Sequence, residues 1–148
     1  MKKRLLPAVI ILILIVTSCG KNKATEDVIV HPIPNVLSDW SWLNSSGGIA
    51  GVYLTPESTG YTQRLEFWQD STARMYRGDT LWWIDTFTVE IRKWIADNTA
   101  VPMLVYKHGH SVDQYFNISQ NGDTLYLYDN VVDGFSHEYL NIILPLEY

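Results

Sequence analysis

The sequence predicts an all-β domain: an up-and-down antiparallel β-barrel of eight strands, with a ninth run available. Three observations carry this expectation. Period-two alternation of apolar and polar residues recurs from residue 39 onward, and no long window has helical periodicity. Turn signals interrupt the chain at short intervals, each between two strand-like runs. No long crossover separates the runs, which favours hairpin-linked neighbours and a barrel over a sandwich.

The elements follow in order. Trp40 and Trp42 share one face of a first strand, which ends at Ser46-Gly47-Gly48. "PESTG" (56–60) precedes a strand around Leu65 and Phe67, and "QDS" (69–71) separates it from Arg74–Tyr76. "RGD" (77–79) leads into the clearest run, Leu81–Lys93, where Leu81, Trp83, Asp85, Phe87, Val89, Ile91 and Lys93 share a face. Adhesion motifs use the same three letters, but a glycine turn between strands explains them. "ADNT" closes the run, and "HGH" (108–110) links Leu104–Tyr106 to Tyr115–Ile118. Asn121–Gly122 is a hairpin signal because both residues tolerate positive φ. "DNVVDG" then precedes a last strand, His137–Leu144.

The chain divides into three parts. Residues 1–18 read as a signal segment: Lys2, Lys3 and Arg4, then an unbroken apolar run from Val9 to Val16. Eight residues are too few to span a bilayer as a helix, which needs about 20, but they suit a signal core. The run ends in "VTSC", which resembles a bacterial lipobox with Cys19 as the lipidated residue. Cys19 is also the only cysteine, so no internal disulfide is available and packing must supply stability. Residues 19–38 read as a lipidated cysteine and tether, with Pro32 and Pro34 favouring extended backbone. Residues 39–148 form one domain of ordinary size.

That domain carries six Lys and Arg against fourteen Asp and Glu, a formal −8. An acidic surface without basic clusters argues against nucleic acid as a partner. All nineteen aromatic residues also fall in the domain, enough for a core with rings to spare for a pocket or an interface.

"DWSWLNSSGGIAG", "TPESTGYTQRLEFWQD", "DTFTV", "DTLYLYD" and "DGFSHEYLNI" together resemble the small lipocalin-like lipoproteins of bacteria, over residues 39–143. The spacing of Trp40, Gly47–Gly48, Pro56, Gly60, Leu65 and Phe67 is the most specific part of the resemblance. It implies an eight-stranded meandering barrel, and attachment through Cys19 to the outer membrane, on a face left open. It also implies that Trp40, with Trp42 beside it, forms the barrel floor. Ser38 stands where the broader lipocalin pattern has a glycine two residues before the first-strand tryptophan. Asn141 stands near the place of an arginine that stacks on that tryptophan.

Inside such a barrel the expected inward residues are Leu65, Phe67, Trp83, Phe87, Val89 and Ile91, with Tyr115 and Leu125 or Leu127 from later strands. Phe67, Trp83, Asp85 and Phe87 are the candidate ligand-binding set, Asp85 being the polar member unless a bulge turns it outward. His108 and His110 flank a glycine, but no third ligand is placed beside them, so no metal site is expected. His137 lies near Asp133 and Glu138 at a barrel mouth, and Asp129 with Asp133 is the kind of carboxylate pair any acidic surface supplies. No G-x-S-x-G, P-loop or H-E-x-x-H occurs, and neither an enzyme nor a cofactor is expected. Two functions remain open. One is a lipid-anchored barrel binding a small apolar ligand. The other is a filled barrel that docks an unidentified envelope protein through rings such as Trp68, Trp82 and Trp94.

Overall fold

A computed structural model describes residues 35–142. The signal segment, Cys19 and nearly all of the tether lie outside the described residues. The described residues fall in one compact unit. Its elements are β1 (Asp39–Gly47), β2 (Val52–Leu54), α1 (Pro56–Thr59), β3 (Gln63–Phe67), β4 (Thr72–Arg77), β5 (Thr80–Lys93), β6 (Ala100–Tyr106), β7 (Gln114–Ile118), β8 (Thr124–Asp129) and β9 (Phe135–Asn141).

All pairings are antiparallel, and β1 closes the sheet by pairing with β9. Eight strands make the closed barrel. The ninth, β2, continues β3's side of β1: Ser45–Gly47 pair with β2, whereas Asp39–Ser41 pair with β3. Between them α1 is a single turn, capped by Thr55 and ended by Gly60 in the left-handed region. The segment read from sequence as a turn is this helix.

The β1–β9 pairing covers the edges that these two strands would otherwise present to other chains. It also brings Gly47 against the β8–β9 connection. A Cβ on Gly47 would sit 2.4 Å from the Gly134 carbonyl oxygen, and its φ is +147°. Glycine is therefore required where first and last strands converge.

The core occupies the end of the barrel where β1 begins and β9 finishes. Trp40, Leu65, Phe67, Ala73, Phe87, Leu104, Phe116 and Leu125 are buried there or just above. Phe67 and Phe87 pack edge to face with centroids 4.9 Å apart. Trp40 Nε1 donates to the Val36 carbonyl at 2.9 Å, which seals this end with a residue from before β1. Val36 is itself in the core, so packed structure starts ahead of Asp39. Ser38 Oγ donates to Asn141 Oδ1 at 2.8 Å, and Asn141 Nδ2 donates to the Gly122 carbonyl. Ser38 thus bonds to Asn141, the residue that pairs with Trp40 across β1 and β9.

Two expected inward residues lie elsewhere. Ile91 is exposed, because β4 stops pairing with β5 at Thr86 and β7 pairs with β6 only at Met103 and Leu104. The β5–β6 hairpin therefore runs past the barrel as a two-stranded ribbon at Ile91–Pro102. Tyr115 faces outward and stacks on Tyr128, while its neighbour Phe116 fills the core. In the Asn121–Gly122 turn, only Gly122 takes positive φ, and Ser119 and Asp123 share its hydrogen bonds.

Candidate functional site: the barrel cavity

Above the sealed end the barrel is not filled. A cavity of about 450 Å³ opens toward the opposite rim, with apolar walls from Trp42, Leu65, Met75, Trp83, Tyr106, Leu127 and Tyr139. Tyr61, Trp82, Arg77, His110 and Phe135 stand nearer its mouth. The volume falls within the usual range for small-molecule sites, which are mostly apolar with a few placed polar groups.

Those polar groups form one connected chain across five strands, β1, β9, β8, β7 and β6. Trp42 Nε1 donates to Ser45 Oγ at 2.8 Å, and Ser45 Oγ lies 2.6 Å from His137 Nδ1. His137 Nε2 is 3.3 Å from Asp129 Oδ1, which also accepts from Gln114 Nε2 at 2.8 Å. Tyr106 donates its hydroxyl to Gln114 Oε1 at 3.1 Å. Because a carboxylate only accepts, His137 donates to Asp129 from Nε2, and in a singly protonated ring Nδ1 then accepts from the Ser45 hydroxyl. Burial alone would push the Asp129 carboxyl up. Bonds from His137 and Gln114, the His137 charge and the Phe135 amide outweigh burial and hold it below the usual range. Burial pushes the Tyr106 and Tyr139 phenols up, so both remain protonated.

Serine, histidine and aspartate in this order have the connectivity of a nucleophile, a base and its orienter. Acyl transfer also needs donors aimed at a developing oxyanion beside the serine. The Trp42 indole N–H is directed at Ser45 Oγ itself, and the Gln114 amide is engaged by Asp129. The chain is a satisfied polar patch on an aromatic wall, suited to orienting a bound molecule.

Of the four residues expected to border a ligand, Trp83 alone lines this cavity. Its ring stacks on His110 and meets Tyr106 edge to face. Phe67 and Phe87 belong to the closed end, one layer away. Trp40 closes that end, whereas Trp42 lies in the cavity wall and stacks on Tyr61 with centroids 6.0 Å apart.

Asp85 points inward opposite Ala73 but does not reach the cavity. The irregularity in β5 falls between its partners Met75 and Tyr76, so the bulge lies near Trp82 and not at Asp85. The Asp85 carboxylate instead anchors the His108-Gly109-His110 turn. It accepts from the backbone amides of Thr86, His108 and His110, and both imidazoles approach it through Nδ1. Burial opposes its ionisation, yet these bonds hold its pKa far below the usual range. Among the described residues, no group of three or more His, Cys, Asp and Glu is placed to hold a metal ion.

Ser45, Gln114 and Arg77 are not singled out as site residues by the sequence, and His137 and Asp129 are weighed there only beside Asp133 and set aside. The signal available was a polar residue at an inward position of an otherwise alternating strand. It is weak in a single chain, because a bulge or turn produces the same pattern.

Fold and site together define a closed antiparallel barrel, sealed at one end, with an aromatic-walled cavity at the other. Compared with known proteins, the chain matches no family model, no curated protein and no solved structure.

Proposed function

We propose that this chain is a lipoprotein of the cell envelope, attached to the outer membrane through Cys19, whose barrel binds a small, largely apolar molecule. The observation that carries the binding reading is the unfilled half of the barrel, where tryptophan and tyrosine walls surround one polar patch. Ser45, Gln114, Asp129 and His137 supply the few placed polar groups that an otherwise apolar site uses to orient a ligand. No catalytic role is assigned to them.

Titration of residues 32–148 with fatty alcohols, sterols and similar apolar compounds, read by tryptophan fluorescence and native mass, tests the binding reading. A saturable complex supports it; an unchanged spectrum and mass across the panel overturns it. Lipid attachment is tested by labelling cells with a palmitate analogue, which should mark the native chain and not a Cys19→Ser form.

One observation favours the second reading. Trp94, Tyr115 and Tyr128 cluster on the outside, beside an open groove that includes Ile95, Val131 and Val132. Such a surface suits a protein partner. Crosslinking in membranes that captures a partner, with loss on Trp94→Ala, would favour that reading over the cavity.

A further inference from the structure

Arg77 is the only Arg or Lys among the residues lining the cavity, and its side chain is clamped. Its guanidinium carbon lies 3.4 Å from the Trp82 ring centroid and 4.8 Å from that of Tyr61. Both rings thus lie within cation–π distance of the group, an arrangement favourable to a cation. Among the described residues Arg77 forms no ion pair, and its buried Nε has no hydrogen-bond partner.

The other arginines differ. Arg64 pairs with Glu66, and Arg92 with Glu90 and Asp113. Arg74, whose Nε is also unpartnered, stacks on Trp68 outside the cavity. In a domain where acidic residues outnumber basic ones by fourteen to six, a cavity-lining guanidinium without a carboxylate is a specific placement. The one acidic residue lining the cavity, Asp129, is already engaged by His137, Gln114 and the Phe135 amide.

We propose that Arg77 is the anion-binding group of the cavity, and that the ligand is an amphiphile with a single carboxylate and a compact apolar body. This rests on the cavity being a binding site. The planar fork of the guanidinium can present parallel N–H donors to both oxygens of a carboxylate, while its contacts with Trp82 and Tyr61 remain in place. Because the rings hold the side chain, little conformational freedom is lost when the anion arrives. The apolar body then extends from the mouth toward Trp83, Trp42 and Leu127, away from Asp129.

The test compares decanoate with 1-decanol on residues 32–148, for the native sequence, Arg77→Gln and Arg77→Lys, with thermal melting to verify folding of each. Decanoate should bind about 10- to 100-fold more tightly than decanol, the range for a charge-assisted contact. That preference should vanish in R77Q and shrink in R77K, which keeps the charge but not the fork. If both compounds bind equally, or R77Q keeps the preference, the assignment to Arg77 is overturned while the cavity remains a binding site. If neither binds the native sequence, the cavity reading fails as well.

Discussion

Ser45 Oγ and His137 Nδ1 lie 2.6 Å apart, joining the first and last strands of the barrel inside its cavity. The two residues are 92 positions apart in the chain and become neighbours only when β1 pairs with β9. The bond therefore couples barrel closure to the polar wall of the cavity.

Ser45→Ala removes the acceptor for the Trp42 indole and the donor to His137, both in a low-dielectric interior. The expected loss is about 1–3 kcal/mol, as for other buried groups left unpaired. Urea denaturation checks this. A variant as stable as the native protein would mean that water replaces the hydroxyl without loss.

Two carboxylates, buried Asp85 and half-buried Asp129, predict an acid-side dependence. Asp85 and Asp129 both have folded pKa values below those of the unfolded chain. Each contributes stability that is fully present above the unfolded carboxyl pKa and is lost as pH falls toward the folded value. Asp85→Asn should be clearly less stable than the native chain at pH 7, and the gap should narrow below about pH 4, the ordinary carboxyl range. Denaturation at a series of pH values measures the gap. A gap constant down to pH 2 would place the role of Asp85 in its shape and not its charge.

Stability and binding should separate along the barrel axis. Phe67→Leu disturbs the closed end and should lower stability by about 1–3 kcal/mol, with ligand affinity nearly unchanged. Trp83→Leu alters the half-exposed cavity wall and should weaken binding about 10-fold or more with a smaller stability loss. Equal effects of the two variants on affinity would contradict the layering.

How far the sequence revealed this division depends on the residue. Alternation and hairpin turns were enough for most of the strand order, because both are local and the strands from β3 to β9 each pair with their sequence neighbours, whereas the β1–β3 and β1–β9 contacts are not local. Ile91 and Tyr115 escaped because inward direction depends on which strands flank a residue, and at Ile91 only one does. The depth of Phe67 and Phe87 relative to Trp83 was hidden for a related reason. Alternation gives the face of a strand but not the height at which a barrel is sealed, and Val36 and Trp40 set that height here. Arg77 lay in a three-residue turn whose glycine explained it sufficiently, and only the fold brings both Tyr61 and Trp82 against it.

Gly47→Ala should reduce stability by about 1–3 kcal/mol, because a methyl group there meets the Gly134 carbonyl at a φ that other residues rarely adopt. Thermal melting reads the loss. An unaffected variant would indicate that the β8–β9 connection yields easily at the rim.

The most direct measurement follows the indole N–H signals of the six tryptophans by ¹H–¹⁵N NMR while 1-decanol is added to residues 32–148. The account predicts saturable shifts for Trp83 and Trp42 in the cavity wall, with Trp40 at the sealed end unmoved. Shifts confined to Trp94 on the outer surface, or no shift at any tryptophan, would contradict it.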